Sequence, residues 1–203
     1  MTLSKFHCYM IGVGGQGVIR GTHILADAAL AEGHPVRTAE THGMAQRGGS
    51  VSGYLRFGKD VHGPLIPKHG AHIIIALEPS EALRAIQFAN QDTYYFISSA
   101  PILPLSIYQD RKIKYPNVDS VKQELRKITP HVYSIDALKL AEQAGTEKAL
   151  NVVMLGFASS SGSIPLKRET IEKSIEKFVP AKALPINKTA FQLGFEQGGK
   201  INE

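Results

Sequence analysis

The segment Gly12-x-Gly14-x-x-Gly17 constrains the fold of this chain more than any other stretch. An apolar run over residues 6–11 precedes it, and a helical pattern from about residue 16 follows it. Glycines at this spacing permit a tight strand-to-helix turn whose backbone can approach a phosphate group closely. The segment therefore predicts a strand, a glycine turn and a helix at the start of an α/β fold, and it raises the hypothesis of a bound nucleotide.

A short strand over residues 36–40 completes a first strand–helix–strand unit. Such a unit favours parallel strands, a right-handed crossover and a sheet covered by helices. Glu40 ends the second strand about twenty residues past the glycines, where a dinucleotide-binding fold carries its ribose-binding acid. Glu40 therefore keeps a nucleotide site open as an interpretation.

After Glu40 the pattern departs from a plain doubly wound fold. Residues 41–50 form a polar, glycine-rich loop. Residues 51–63 predict an antiparallel hairpin, because an alternating strand is followed by the turn GKD and a short returning segment. Antiparallel pairing this early in the chain favours a mixed sheet over a purely parallel one.

Strand patterns and helix patterns alternate through the rest of the chain, which is typical of a sheet with helices on both faces. The predicted final helix has Asn187 as its N-cap. We expect a single domain over residues 1–203, a three-layer α/β/α sandwich with a mixed sheet and a Rossmann-like first strand–helix–strand unit. Further strands are predicted over residues 71–77, 93–99 and 131–136.

Composition and charge exclude several classes of function. The 23 Lys and Arg outnumber the 18 Asp and Glu, but the basic residues are scattered and form no stripe with aromatic side chains, so we expect no nucleic-acid partner. The longest apolar stretch, residues 71–77, is far too short to span a bilayer, and residues 1–10 show no signal-peptide pattern. We therefore expect a cytoplasmic protein with no membrane partner.

The inventory of metal ligands is equally restrictive. Cys8 is the only cysteine, and its place in the first apolar run predicts a small buried side chain. An iron–sulfur cluster needs several thiolates, and the eight His residues show no paired spacing of a zinc site. We expect no metal site in this chain.

Two glycine-rich loops are predicted at one edge of the sheet, because residues 12–17 and 41–50 would follow adjacent strands. The second loop combines a histidine, a glutamine and an arginine with glycines, which suits either an anion or the surface of a partner. A histidine or arginine alone in such a loop is more often structural than catalytic, so no catalytic residue is assigned. The candidate site residues are Gly12, Gly14, Gly15, Gln16, Gly17, His42, Gly43, Met44, Gln46, Arg47, Gly48 and Gly49.

Six motifs in order resemble the gamma-type domain of 2-oxoacid:ferredoxin oxidoreductases. They are GVGGQG, ETHGMAQRGGSV, PLIP, ALEPSEALR, NVVMLG and NKTAFQLGFEQG. The resemblance runs from about residue 6 to about residue 198, and within the family it is most similar to the members that oxidise indolepyruvate. Each motif alone is weak, whereas the ordered set is specific.

The resemblance implies the oxidative decarboxylation of a 2-oxoacid, here an aryl pyruvate such as indolepyruvate, with coenzyme A. The products are an acyl-CoA and carbon dioxide, and the electrons pass to ferredoxin. It also implies that thiamine diphosphate, magnesium and iron–sulfur clusters reside on a large alpha subunit, so that this chain is an accessory subunit. The chain agrees in lacking a GDG segment followed by Asn, the usual thiamine diphosphate signature.

The resemblance changes the meaning of the glycine turn. In such a subunit the turn and residues 42–49 would lie near the active site of the large subunit, and the helix start at Gly17 would attract an anion such as a CoA phosphate. Two alternatives stay open from the residues alone. One is a stand-alone NAD- or FAD-dependent oxidoreductase, and the other is a non-enzymatic nucleotide-binding module.

Overall fold

The computed structural model describes residues 3–41, 49–102 and 115–199, which carry a six-stranded sheet and seven α-helices. The strands are β1 (Phe6–Val13), β2 (Val36–Thr41), β3 (Ser50–Phe57), β4 (Ile73–Ala76), β5 (Tyr94–Ser98) and β6 (Val132–Ile135). The helices are α1 (Val18–Ala31), α2 (Pro79–Arg84), α3 (Val118–Arg126), α4 (Ala137–Ala144), α5 (Leu150–Ser160), α6 (Arg168–Phe178) and α7 (Leu184–Gly199). Short 3₁₀ turns lie at Ile86–Phe88, Glu147–Ala149 and Ala181–Ala183.

The sheet is mixed, as predicted, with the strand order β2-β3-β1-β4-β5-β6. β1, β4, β5 and β6 form a parallel ladder, whereas β3 is antiparallel to both β1 and β2. β1 and β2 therefore point in the same direction, as expected of a strand–helix–strand unit, but β3 separates them. The carboxyl ends of five strands and the amino end of β3 thus meet at one edge of the sheet.

The predicted hairpin over residues 51–63 is wrong. β3 is a strand, but residues 61–63 are irregular in the described chain. A strand has two hydrogen-bonding edges, and those of β3 are occupied by β1 and β2, so no edge remains for a returning strand. The antiparallel pair of consecutive strands is instead β2 with β3.

Alternating side chains on the central strands build one apolar core on each face of the sheet. On β1, Cys8 and Met10 face the core shared with α1 and α5, whereas Tyr9 and Ile11 face the core shared with α2 and α3. The expected three layers are therefore confirmed. Val18, Leu25, Ala28 and Ala29, which helical spacing places on one face of α1, are also buried.

Cys8 is buried in the sheet, as predicted, with 1% of its surface exposed. Burial raises the pKa of its thiol to about 12. Because a metal ligand or nucleophile must be a thiolate, Cys8 at neutral pH is a small protonated apolar side chain.

Helices α5 and α7 approach each other through glycines. A methyl group on Gly156 would overlap the carbonyl oxygen of Phe191, and one on Gly194 would overlap that of Val153. The two backbones therefore touch without intervening side chains. This contact fixes α5, whose residue Asn151 reaches the glycine turn.

Asn187 does not cap the final helix, contrary to the prediction. α7 begins three residues earlier, at Leu184, and Asn187 is buried within its first turns. The helix can start there because Pro185 sits in the first turn, where a missing N–H removes no helical hydrogen bond. The Asn187 Nδ2 group donates to the Ala183 carbonyl at 2.8 Å.

Within the described segments, no helix is both long enough and apolar enough to cross a membrane.

His7 lies at the end of β1 opposite the glycine turn and is 3% exposed. Its Nδ1 donates to the Gly70 carbonyl at 2.7 Å. Burial lowers the pKa of His7 from 6.5 to about 4, with the Gly70 hydrogen bond opposing the shift and the charge of Arg56 adding to it. The unfolded chain therefore binds a proton between these two pH values that the folded chain does not bind.

We expect the free energy of unfolding to fall as the pH drops from about 6.5 to about 4, with a total loss from His7 of about 3 kcal/mol. Urea unfolding near pH 7 and near pH 4.5 measures the loss. His7→Asn keeps a donor for the Gly70 carbonyl but does not titrate, so its unfolding free energy should depend less on pH. An equal pH dependence in both proteins would contradict the assignment to His7.

Candidate functional site

The glycine turn connects Val13, the last residue of β1, to Val18, the first residue of α1. Gly17 is the N-cap of α1 and has a φ of 81°, in the left-handed region that favours glycine. Asn151, 2% exposed on α5, donates from Nδ2 to the Gly17 carbonyl at 3.1 Å. A Cβ on Gly17 would lie 2.7 Å from that amide nitrogen. Both backbone conformation and packing therefore require glycine at this position.

Gln16 clamps the turn to two neighbouring strands. The backbone N–H of Val13 donates to Gln16 Oε1 at 2.7 Å, and Gln16 Nε2 donates to the carbonyl of Leu77 at 2.7 Å. Leu77 directly follows β4, so one side chain joins the ends of β1 and β4. Gly12 leaves room for it, because a Cβ there would lie 2.7 Å from Gln16 Oε1.

Replacing Gln16 with Glu is expected to lower the melting temperature by about 5 °C, or about 2 kcal/mol of stability. The carboxylate still accepts from Val13 but places its second oxygen against the Leu77 carbonyl. Thermal unfolding followed by circular dichroism measures the loss. Gln123→Glu, the same change on the exposed face of α3, should cost less than about 0.5 kcal/mol. Similar losses in both variants would argue against the clamp.

The structure brings the second glycine-rich segment to the first. The Gly14 N–H donates to the Gly49 carbonyl at 2.8 Å. The expected reason was wrong, since β1 and β2 are not adjacent; the contact forms because the segment leads into β3, which pairs with β1. Six residues predicted for this site lie outside the described residues, namely His42, Gly43, Met44, Gln46, Arg47 and Gly48.

An open groove of about 290 Å³ lies over the turn. Gly15 forms its exposed tip, with a φ of 106° and no atom within 4 Å of where a Cβ would stand. Within the part of the chain that the structure describes, no ionisable side chain lines the groove. It is lined by Val13, Gly14, Gly15, Gly17, Val18, Ile19 and Val51. The edge therefore offers backbone and small apolar surface, which suits contact with a partner better than catalysis by its own side chains.

Glu40 does not stand beside the glycine turn. Its carboxylate pairs with His23 Nε2 on α1 at 2.5 Å. In a dinucleotide-binding fold the ribose-binding acid ends the strand adjacent to β1. Here β3 intervenes, so the strand of Glu40 lies two strand spacings, about 10 Å, from β1.

Two buried carboxylates at the same edge were missed by the sequence analysis. Glu78 follows β4, is fully buried and caps α2, because its Oε2 accepts from the Glu81 N–H at 3.0 Å and from the Ser80 hydroxyl at 2.6 Å. Glu81 accepts from the Ser50 hydroxyl and pairs with Arg84 Nε at 3.0 Å. Burial raises the pKa of Glu78, against the effect of its hydrogen bonds.

Glu81 ties Ser50, the first residue of β3, to α2, and Gly49 directly precedes Ser50. The sequence signal is the segment EPSE, which predicts a helix start. Glutamate is not among the preferred N-cap residues, so N-cap preferences do not predict Glu78 as the cap of α2.

The described residues bring together no group of three His, Cys, Asp or Glu side chains able to hold a metal ion.

A family model described as pyruvate ferredoxin/flavodoxin oxidoreductase matches residues 7–197. The indolepyruvate oxidoreductase subunit IorB of Archaeoglobus fulgidus is 42% identical over 193 residues, which cover 95% of this chain and 95% of that protein. The subunit of the same name from Thermococcus kodakarensis is 37% identical with the same coverage of both chains. The likeness therefore extends over almost the whole length of these relatives.

Solved structures show the same fold. Pyruvate oxidoreductase subunit PORC from Thermotoga maritima superposes with a TM-score of 0.70 at 22% identity, covering 95% of this chain and 96% of that chain. A 2-oxoglutarate:ferredoxin oxidoreductase from Magnetococcus marinus gives a TM-score of 0.72 at 17% identity, covering 97% of this chain but 31% of that chain. The fold therefore occurs both as a separate chain and as one part of a larger one.

Proposed function

Because the chain belongs to the pyruvate ferredoxin/flavodoxin oxidoreductase family, we propose that it is the accessory subunit of an indolepyruvate-oxidising complex. The complex oxidatively decarboxylates an aryl pyruvate with coenzyme A to an acyl-CoA and carbon dioxide, and it passes the electrons to ferredoxin. The observation that carries this proposal is the match, along nearly the full length of both chains, to subunits named for indolepyruvate. The whole of residues 1–203 acts as one domain in this proposal.

The cofactors of the reaction are assigned to the large alpha subunit. An iron–sulfur cluster does not fit this chain, because Cys8 is its only cysteine and is buried as a thiol in the sheet. The sequence also lacks the GDG segment followed by Asn that usually marks a site for thiamine diphosphate and magnesium. The chain contributes surface and positioning to the complex, while the redox chemistry belongs to the cofactors of its partner. We propose that the complex is cytoplasmic and that ferredoxin is an indirect partner of this chain, which interacts with it only as part of the complex. Neither nucleic acid nor a membrane is a partner in this proposal.

We place the glycine turn, residues 12–17, and the groove above it against the large subunit. The groove over Gly14 and Gly15 exposes backbone that no side chain of these two residues covers. The turn beneath it is held by the hydrogen bonds of Gln16 and Asn151. The start of α1 at Gly17 would favour a negative group of coenzyme A or of the substrate brought to this edge. The predicted residues His42 to Gly48 stay part of this proposal.

The stand-alone NAD- or FAD-dependent oxidoreductase is the weaker alternative. Its support was the glycine spacing together with Glu40. The intervening strand β3 and the pairing of Glu40 with His23 both count against a ribose site. Gly12 and Gly17 have a structural explanation in the packing of Gln16 and Asn151 that needs no nucleotide.

The test is an anaerobic affinity purification of the tagged chain from its native host, followed by a visible absorption spectrum and assays with a panel of 2-oxoacids. We expect a brown complex with a larger, cysteine-rich subunit that oxidises indolepyruvate faster than pyruvate or 2-oxoglutarate. A brown complex that prefers an aliphatic 2-oxoacid would overturn the substrate alone. A colourless chain that binds NAD or FAD by itself would overturn the proposed function.

A further inference from the structure

A second cavity, of about 450 Å³, lies beside α1, roughly one helical turn beyond Gly17. Besides Arg20, it is lined by Thr146 and Lys148 before α5, by residues of the segment 179–183, and by Ile186 and Asn187 of α7. Four of its lining residues are apolar, namely Val179, Pro180, Ala183 and Ile186. None of these residues lines the groove over the glycine turn.

Three basic side chains surround this cavity, namely Arg20, Lys148 and Lys182, and none of its lining residues is acidic. Among residues 3–41, 49–102 and 115–199, none of the three has an ion-pair partner. The neighbouring helices differ, since Lys177 pairs with Asp27 and Lys188 pairs with Glu176. The lining of the cavity therefore carries three basic side chains and no acidic one, and such a concentration of positive charge attracts an anionic group.

The walls of the cavity are held by their own hydrogen bonds. The Ala149 N–H donates to the Thr146 carbonyl at 3.1 Å, and the Ala183 N–H donates to the Pro180 carbonyl at 2.8 Å. Asn187 Nδ2 donates to the carbonyl of Ala183 at 2.8 Å. An occupant would therefore find a preformed site and would not have to order these segments on binding.

We propose that this cavity is a docking site for an acidic segment of the large partner subunit, with a carboxylate between the cations and an apolar side chain against the four apolar lining residues. The inference rests on the proposed accessory role. Charge complementarity carries it, because Arg20, Lys148 and Lys182 have no ion pair among the described residues and share the cavity with apolar side chains and no acidic one. Arg20 and Gly17 lie on the same end of α1, so one partner can cover both the cavity and the glycine groove.

The test compares two double variants that change the net charge equally. Lys148→Glu with Lys182→Glu reverses the charge of the cavity, and Lys59→Glu with Lys68→Glu reverses two exposed lysines without ion pairs in the described chain. The dissociation constant of each chain for the purified large subunit is measured at low and at high salt. We expect the cavity variant to bind about tenfold more weakly and with a smaller salt dependence, and the control to change by less than about twofold.

A third variant, Ala183→Phe, fills the cavity without changing charge and should also weaken binding while melting like the wild type. If the wild-type chain does not bind the large subunit, the proposed function fails. If it binds and the cavity and control variants behave alike, this inference alone fails. Inorganic phosphate supplies the remaining test: stabilisation of the isolated chain that depends on Lys148 and Lys182, with unchanged subunit affinity, would make the cavity a small-anion site and overturn the docking proposal.

Discussion

A Gly194→Ala variant is expected to melt about 10 °C below the wild-type chain, a loss of about 3 kcal/mol. The added methyl group would overlap the Val153 carbonyl oxygen and would come within 3.0 Å of the Phe157 backbone nitrogen. Backbone atoms cannot rotate away as side chains can, so α5 and α7 must separate. Separation also moves Asn151, which supports Gly17 from α5.

The matched control is Gly199→Ala on the same helix. No atom lies within 4 Å of the Cβ that this substitution would add. Because alanine has the higher helix propensity, the variant should be unchanged or more stable by up to about 1 kcal/mol. Thermal unfolding of both variants measures their melting temperatures. If Gly194→Ala melts close to the wild type, the backbones of α5 and α7 are not in direct contact at Gly194.

A Gly15→Asp variant is expected to lower the 2-oxoacid oxidation rate of the assembled complex at least tenfold, an effect of about 1.4 kcal/mol or more. Gly15 is the exposed tip of the groove, so its new side chain points away from the rest of the chain. At the proposed interface the aspartate would clash with the large subunit, and near the start of α1 its charge would repel an anionic ligand. The KM for coenzyme A distinguishes repulsion of that ligand from loss of assembly.

Gly33→Asp controls for backbone strain. Gly33 has a φ of 81°, and no atom lies within 4 Å of an added Cβ, so aspartate meets a comparable strain at the opposite end of α1. Both isolated variants should melt within a few degrees of each other, whereas the Gly33→Asp complex should keep its activity. Equal activity of the two complexes would show that Gly15 does not lie at the interface with the large subunit.

Local pattern predicted most of the elements. The apolar run before Gly12 marks β1, and the helical spacing of Val18 and Leu25 marks α1. The proline and the acid in the segment EPSE mark the start of α2. Each signal is local, because burial periodicity and capping are properties of neighbouring residues. The place of β3 between β1 and β2 could not be predicted in this way. Strand order depends on which edges meet in space, and the alternation in residues 51–57 is compatible with any partner.

The site shows the same division between local and distant information. The glycine spacing predicted a strand-to-helix turn, which is confirmed. The supports of that turn were missed, since Asn151 meets Gly17 across 134 positions of sequence and Gln16 meets Leu77 across 61. Hydrogen bonds over such separations leave no periodic trace, and a buried Asn or Gln looks in sequence like an ordinary polar residue.

The place of β3 in the sheet also determines where the length of the chain can change at little cost. The connection between β2 and β3 joins two strands of the same sheet, whereas the glycine turn joins β1 to α1. Doubling the length of such a connection costs only about 0.6 kcal/mol in closure entropy. An added residue in the glycine turn would instead displace α1 from its contacts with Asn151. We therefore expect the fold to tolerate an inserted residue better between β2 and β3 than between β1 and α1.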